Sequence, residues 1–267
     1  MTVLVQSTFV GSNGSAWPSP WVGELQGGTS GGAVDIQSNR GRLRAHDGGY
    51  QVARALADGV TVSNVLVEAT VSFPTVTEQY VYPVVVRGSG SWQSTDAWRM
   101  TSGYTFYLGL GYADNREVAI RREDGGGADT VLADALLPAS VTANTDYRVK
   151  FEASGSTLRA KMWPASGSEP GWQMETTDAT YGSGAVAVSL LSGATAGSRD
   201  ARFDEFTVTS LGAVVLEPSA WSGWSFTTTP EEGGAPPPEP EPTTPEWRVL
   251  HQGVPVPALL FSAGDLE

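Results

Sequence analysis
The side chains able to do chemistry in this chain are carboxylates, two histidines, and tryptophans set beside arginine; cysteine is absent. Without a thiol there is no cysteine nucleophile, no thiolate metal site and no disulfide framework. His46 adjoins Asp47 in a glycine-rich turn and His251 lies in the C-terminal segment. Neither has an H-E-x-x-H or triad neighbourhood, so both are expected to be ordinary surface residues. Retaining glycoside hydrolysis needs two carboxyl groups about 5 Å apart. The closest cluster, Asp204-Glu205, puts adjacent carboxylates on opposite faces of a strand, so no catalytic residue is expected. Binding suits the residues better. A sugar offers CH faces to aromatic rings and hydroxyls to charged hydrogen-bonding groups. The polar stretch Trp92-Gln93-Ser94-Thr95-Asp96-Ala97-Trp98-Arg99 supplies both kinds, with Arg87 and Tyr107 on the flanking segments. Alternation turns Arg87 and Tyr107 away from Val86, Phe106 and Leu108, toward an open face. The alternative is that Trp92 and Trp98 cap the core and Arg87 makes a structural ion pair.

Strands must position these residues. In Tyr147 to Phe151, and again in Leu158 to Met162, apolar residues alternate with charged ones, the signature of half-buried strands. Between them Ala153-Ser154-Gly155-Ser156-Thr157 supplies a tight hairpin connection. Pro164 stops the second strand, and a Gly/Ser/Pro loop leads to Trp172. A sheet wet on one side buries its other side, most simply against a second sheet.

The other segments agree with an all-β chain. Strand patterns run over Val3 to Val10, Val34 to Ile36, Arg42 to Ala45, Val60 to Phe73, Tyr80 to Arg87, Tyr104 to Tyr112, Val118 to Arg122 and Val131 to Leu137. Ala185 to Leu191 and Arg202 to Val208 follow the hairpin, with Gly, Asp and Asn in the turns. Tyr50 to Asp58 is the single helix candidate, a turn or two long. Trp17 and Trp21 are expected to pack at the sandwich edge. Gly27-Gly28 and Gly31-Gly32 lack the Lys-Ser/Thr of a phosphate loop and are expected to form a plain loop.

Composition narrows the partners. The net charge is -13, from 29 acidic and 16 basic residues, and seven of the acids follow Pro230. An acidic surface argues against sequence-independent nucleic-acid binding and against anionic membranes. No apolar run approaches the ~20 residues of a membrane span. The N-terminal stretch has no basic segment followed by an apolar core, so synthesis in the cytoplasm without a signal peptide is expected.

Certain segments, in order, carry a resemblance. They are Val84 to Arg87, Tyr104 to Leu108, Tyr147 to Phe151, Gly155, Leu158 to Trp163, Glu169-Pro170 with Trp172, Gly184 to Val188, and Phe203-Asp204-Glu205-Phe206-Thr207-Val208. This succession resembles the concanavalin A-like (LamG-type) jelly-roll, over roughly residues 1 to 211. It implies a two-sheet antiparallel jelly-roll β-sandwich and a function among lectins, glucanases and non-catalytic adhesion modules. The E-x-D-x-x-E carboxylate spacing of the family's retaining glucanases does not occur in the chain. No cofactor is required, but the resemblance implies a structural Ca²⁺ with Asp204 at the matching position.

Beyond the sandwich, 212–229 reads as a connecting segment and 230–246 as a Pro/Glu-rich extended spacer. Residues 247–267 are too few to fold alone, yet carry Trp247, Val249, Leu250, Leu259, Leu260 and Phe261, as a docking peptide would. This layout resembles minor tail proteins of phages infecting actinobacteria. The resemblance implies a virion location, other tail proteins as partners, host cell-wall glycan as the ligand, and often a trimer. The competing readings are a purely structural tail protein and a secreted carbohydrate-active enzyme.

Overall fold
A computed structural model describes residues 1–27, 31–46, 51–77, 80–94, 97–111, 113–192 and 197–212, with the backbone of 250–251 and 254–255. The chain divides into a unit spanning Met1–Ala213 and a second spanning Val214–Glu267. In the second, Leu250–His251 pairs antiparallel with Val254–Pro255. Trp247, Val249, Leu259, Leu260 and Phe261, and the side chain of Leu250, lie outside the described residues, as do the expected spacer and residues 213–229.

Among the described residues fifteen strands build the first unit: β1 Thr2–Ser7, β2 Trp21–Gln26, β3 Ala33–Gln37, β4 Arg40–Ala45, β5 Gln51–Val62, β6 Val65–Ser72, β7 Tyr80–Gly88, β8 Gly103–Leu110, β9 Glu117–Gly125, β10 Ala128–Leu136, β11 Asp146–Ser154, β12 Thr157–Pro164, β13 Met174–Thr177, β14 Gly184–Ser192 and β15 Arg199–Ser210. One sheet runs β13-β12-β11-β6-β15-β4-β3, with β1 also paired to β15, and the other runs β10-β9-β8-β7-β14-β5-β2. Every pairing is antiparallel. The fold is therefore a two-sheet antiparallel β-sandwich.

Period-two patterning explains which face goes in. Val65, Val67, Ala69 and Val71 of β6 are buried while Leu66, Glu68 and Thr70 between them are not. The inner faces meet across the sandwich where Phe106 lies 6.5 Å from Phe151 and Tyr82 lies 5.8 Å from Phe203. At one end Phe9, Trp17, Trp21, Phe203 and Phe206 pack in edge-on and tilted pairs with centroids 4.8 to 6.1 Å apart, so the two early tryptophans are core residues. The expected hairpin pairs from Tyr147↔Pro164 to Ser154↔Thr157, and Gly155, at φ 56°, provides its turn.

Two expectations about the strands fail. Gln51 to Asp58 is not helical but the first part of β5, and Tyr50 lies outside the described residues. The run Ala53-Arg54-Ala55-Leu56-Ala57 has good helix formers, but its alanines lie against the core between β14 and β2, where ladder pairing and burial override propensity. Asp204 and Glu205 do not occupy opposite faces. The register of β15 against β6 shifts between Phe203 and Glu205, a bulge that keeps both Phe203 and Phe206 inside and leaves both carboxylates exposed.

Candidate functional site
Residues 89–101 connect β7 to β8 and fold back over the outer face of the seven-stranded sheet. The loop pinches itself: Gln93 N donates to Arg99 O at 2.9 Å, Thr101 N to Ser91 O at 2.9 Å, and Trp92 bridges Met100. Its side chains then cover the sheet. Trp98 packs with Val52, Val81, Tyr107, Ala119 and Leu191, while Met100 and the half-buried Trp92 pack on Leu56, Val85 and Ala187. Backbone carbonyls finish the attachment, because Arg54 Nη1 donates to Ala97 O at 2.6 Å and Ser189 Oγ to Trp98 O at 2.7 Å. We call this loop the flap; Thr95-Asp96 within it lie outside the described residues.

Charge is built into the covered face. Arg99 stacks 4.4 Å from the Trp98 ring, donates to Asp129 at 2.7 Å, and holds its Nε 3.8 Å from Glu123. Arg121 lies 3.8 Å over the Tyr107 ring and donates to the same Asp129 at 2.9 Å. Glu123 has no exposed surface. It accepts from Thr105 Oγ1 at 2.9 Å, its Oε2 has no hydrogen-bond donor, and burial pushes its carboxyl up to about 7 against the opposing pull of Arg99. Gln93 joins loop to sheet by donating to Met100 O at 2.9 Å and accepting from Gly127 N at 2.7 Å. At the rim, Arg54 lies 4.8 Å from the Trp92 ring and pairs with Glu24 at 2.8 Å.

The structure thus brings Trp92, Trp98, Arg99 and Tyr107 together on one face. Trp98, Tyr107 and Arg99 are 7%, 7% and 8% exposed, so Trp92 is the aromatic of the group that solvent reaches. Arg87 lies elsewhere. Its backbone is left-handed, at φ 53°, which breaks the alternation and turns the side chain to an end of the sandwich. There, 2% exposed, it donates to Ser63 O at 2.6 Å, Gly155 O at 2.8 Å and Tyr181 O at 3.1 Å. Its partners are carbonyls rather than the carboxylate of an ion pair, and burial lowers its pKa. Sequence reading missed Arg54, Gln93, Arg121, Glu123, Asp129 and Ser189. Arg54 was within reach: as a strand, Ala53-Arg54-Ala55 puts a cation opposite two core alanines.

Among the described residues, nothing joins Asp204 to make a cation site. It is 58% exposed, its nearest charged neighbour is Arg40 at 4.0 Å, and among the described residues no three acidic, histidine or cysteine side chains converge as ligands. A lone carboxylate beside a guanidinium does not fit a hard cation, which takes several oxygens.

No protein-family model matches the chain, and no curated protein matches its sequence. Solved structures do match. A Bacillus subtilis protein of unknown function with a galectin-like fold aligns at TM-score 0.52 and 15% identity, over 79% of this chain and 96% of that one. The exoplasmic/lumenal domain of VIP36, in its Ca²⁺/Man2-bound form, aligns at TM-score 0.54 and 13% identity, over 78% and 87%. The carbohydrate recognition domain of Emp46p, in a metal-free form, aligns at 0.53 and 12%, over 71% and 88%. At these identities the likeness is one of fold, a galectin-like, concanavalin A-like β-sandwich.

Proposed function
We propose that this protein is a non-catalytic minor tail component of a phage infecting actinobacteria, displaying a lectin-like sandwich at the tail tip for host cell-surface glycan. Residues 247–267 anchor it to other tail proteins, in an assembly expected to be trimeric. The observation that carries the glycan reading is the flap. It holds half-buried Trp92 beside Arg54 and Glu24, so an aromatic face and charged hydrogen-bonding groups share one rim. The fold supports it by analogy, since Emp46p's matching domain is named a carbohydrate recognition domain and VIP36's holds Man2. The Arg/Trp/Tyr layer beneath fixes the flap, as a rigid platform for a weak ligand requires. Nothing in this reading needs a metal or a paired-carboxylate cleft.

A second reading, a purely structural tail protein, is favoured by the same flap, which keeps Trp98 and Tyr107 from solvent. Side-by-side pull-downs of the full chain and Trp92→Ala on purified host cell walls, and on the other particle proteins, separate the two. Wall binding that drops about tenfold in the variant, at unchanged melting temperature, supports the glycan reading. Capture by particle proteins alone supports the structural one.

A further inference from the structure
The outer face of the eight-stranded sheet carries a depression of about 200 Å³, on the opposite side of the sandwich from the flap. Two rungs of the ladder frame it. Trp163, Arg148, Thr70 and Glu205 are consecutive partners across β12, β11, β6 and β15. Two residues further along, Lys161, Lys150, Glu68 and Thr207 form the next rung. The hollow arises because Thr70 is short and stands between longer neighbours, Arg148 and Glu205 across the strands and Glu68 along its own.

The partners on the two rungs differ. Lys150 and Lys161, the chain's only lysines, face each other and are neutralised: Lys150 pairs with Glu68 at 2.8 Å and Glu169 at 3.1 Å, and Lys161 with Glu169 at 2.7 Å. On the first rung Arg148 and Glu205 are exposed, and among the described residues neither has an ion-pair or hydrogen-bond partner. They stand two strands apart, roughly 10 Å between backbones. The two are not paired with each other here, and the short Thr70 between them leaves the gap open for a six-membered ring.

We propose that this depression is a second saccharide site, which takes one neutral sugar residue with Arg148 donating to its hydroxyls and Glu205 accepting from them. The lining's two cations, Arg148 and Lys150, are balanced by Glu68 and Glu205. An anion there meets the glutamates and a cation meets the basic pair, whereas a neutral polyol satisfies donors and acceptors together. Thr70 and Thr207 add hydroxyls that can do either. The ligand class rests on the glycan reading above; the location does not. Two sites on opposite sheets let one chain bridge neighbouring glycan strands, so that avidity compensates for weak single contacts.

Amide spectra of the full-length ¹⁵N-labelled chain, titrated separately with glucose, galactose, mannose and N-acetylglucosamine, test the proposal. At least one sugar should shift Thr70, Arg148 and Thr207. Arg148→Ala should weaken that binding about tenfold, and Thr70→Met, which fills the hollow, should abolish it while the remaining spectrum stays that of the folded chain. Shifts confined to the flap, lost in Trp92→Ala and unaffected by Arg148→Ala, would overturn this site and leave the glycan reading standing. No shift with any sugar, together with no wall binding, would overturn both.

Discussion
The carboxyl of Glu123 is sealed between Thr105 and Arg99, and its position makes stability depend on pH. Folded, it keeps its proton up to about pH 7; unfolded, it releases it near the ordinary glutamate value of 4.5. The stability linked to that proton is complete below 4.5 and is lost as pH rises through 7, on the order of 3 kcal/mol in all. Thermal melts from pH 5 to pH 8 should therefore show the wild-type chain losing stability, and Glu123→Gln should flatten the slope. Parallel profiles for the two would dismiss Glu123 as the source. Arg87 makes a different prediction. Alanine there leaves three carbonyls without their donor and should cost about 3 kcal/mol by chemical denaturation. Lysine should recover only part of it, because an ammonium lacks the fork that reaches several acceptors at once. Wall binding by the folded fraction should be unchanged in both variants. A specific loss of binding would return Arg87 to the ligand site.

At the scale of the element, the flap stands or falls with Trp98. Removing a buried indole from its contacts with Val52, Tyr107 and Leu191 should cost about 3 kcal/mol or more, whereas Trp92→Ala at the rim should cost under about 1 kcal/mol. Hydrogen exchange should show amides 89–101 losing protection in Trp98→Ala before the strands do; simultaneous loss would mean the flap is part of the global unit. The same scale shows where sequence reading worked. The β11–β12 hairpin was legible because two runs of strict alternation flank a glycine that can take positive φ. β5 was misread because its alanines are helix formers in isolation and suit a strand only when both neighbours are in place. The bulge at Asp204 was hidden too. Phe203 and Phe206 are three apart, and only pairing with β6 shows that both face inward.

For the whole molecule, the contact boundary after Ala213 predicts that a chain ending there keeps its melting transition. By the proposed function it should also lose capture by the other particle proteins, which a pull-down checks. A lowered melting temperature would mean that residues beyond 213 contribute to the sandwich. Local pattern was enough to establish a strand-built chain, a half-wet β11–β12 hairpin and a Pro/Glu-rich tail segment, and composition alone the absence of a thiol. Each of those depends on residue type and on periodicity within a few positions. Tertiary structure decided which side chains share a surface. Trp98 and Tyr107 became a covered layer because the flap folds back on its own sheet, and Arg87 left the face through a single left-handed residue. Arg148, Thr70 and Glu205 became neighbours across 136 residues of chain because β6 pairs with both β11 and β15. Such register is a property of pairing between distant strands, and no local run of sequence encodes it.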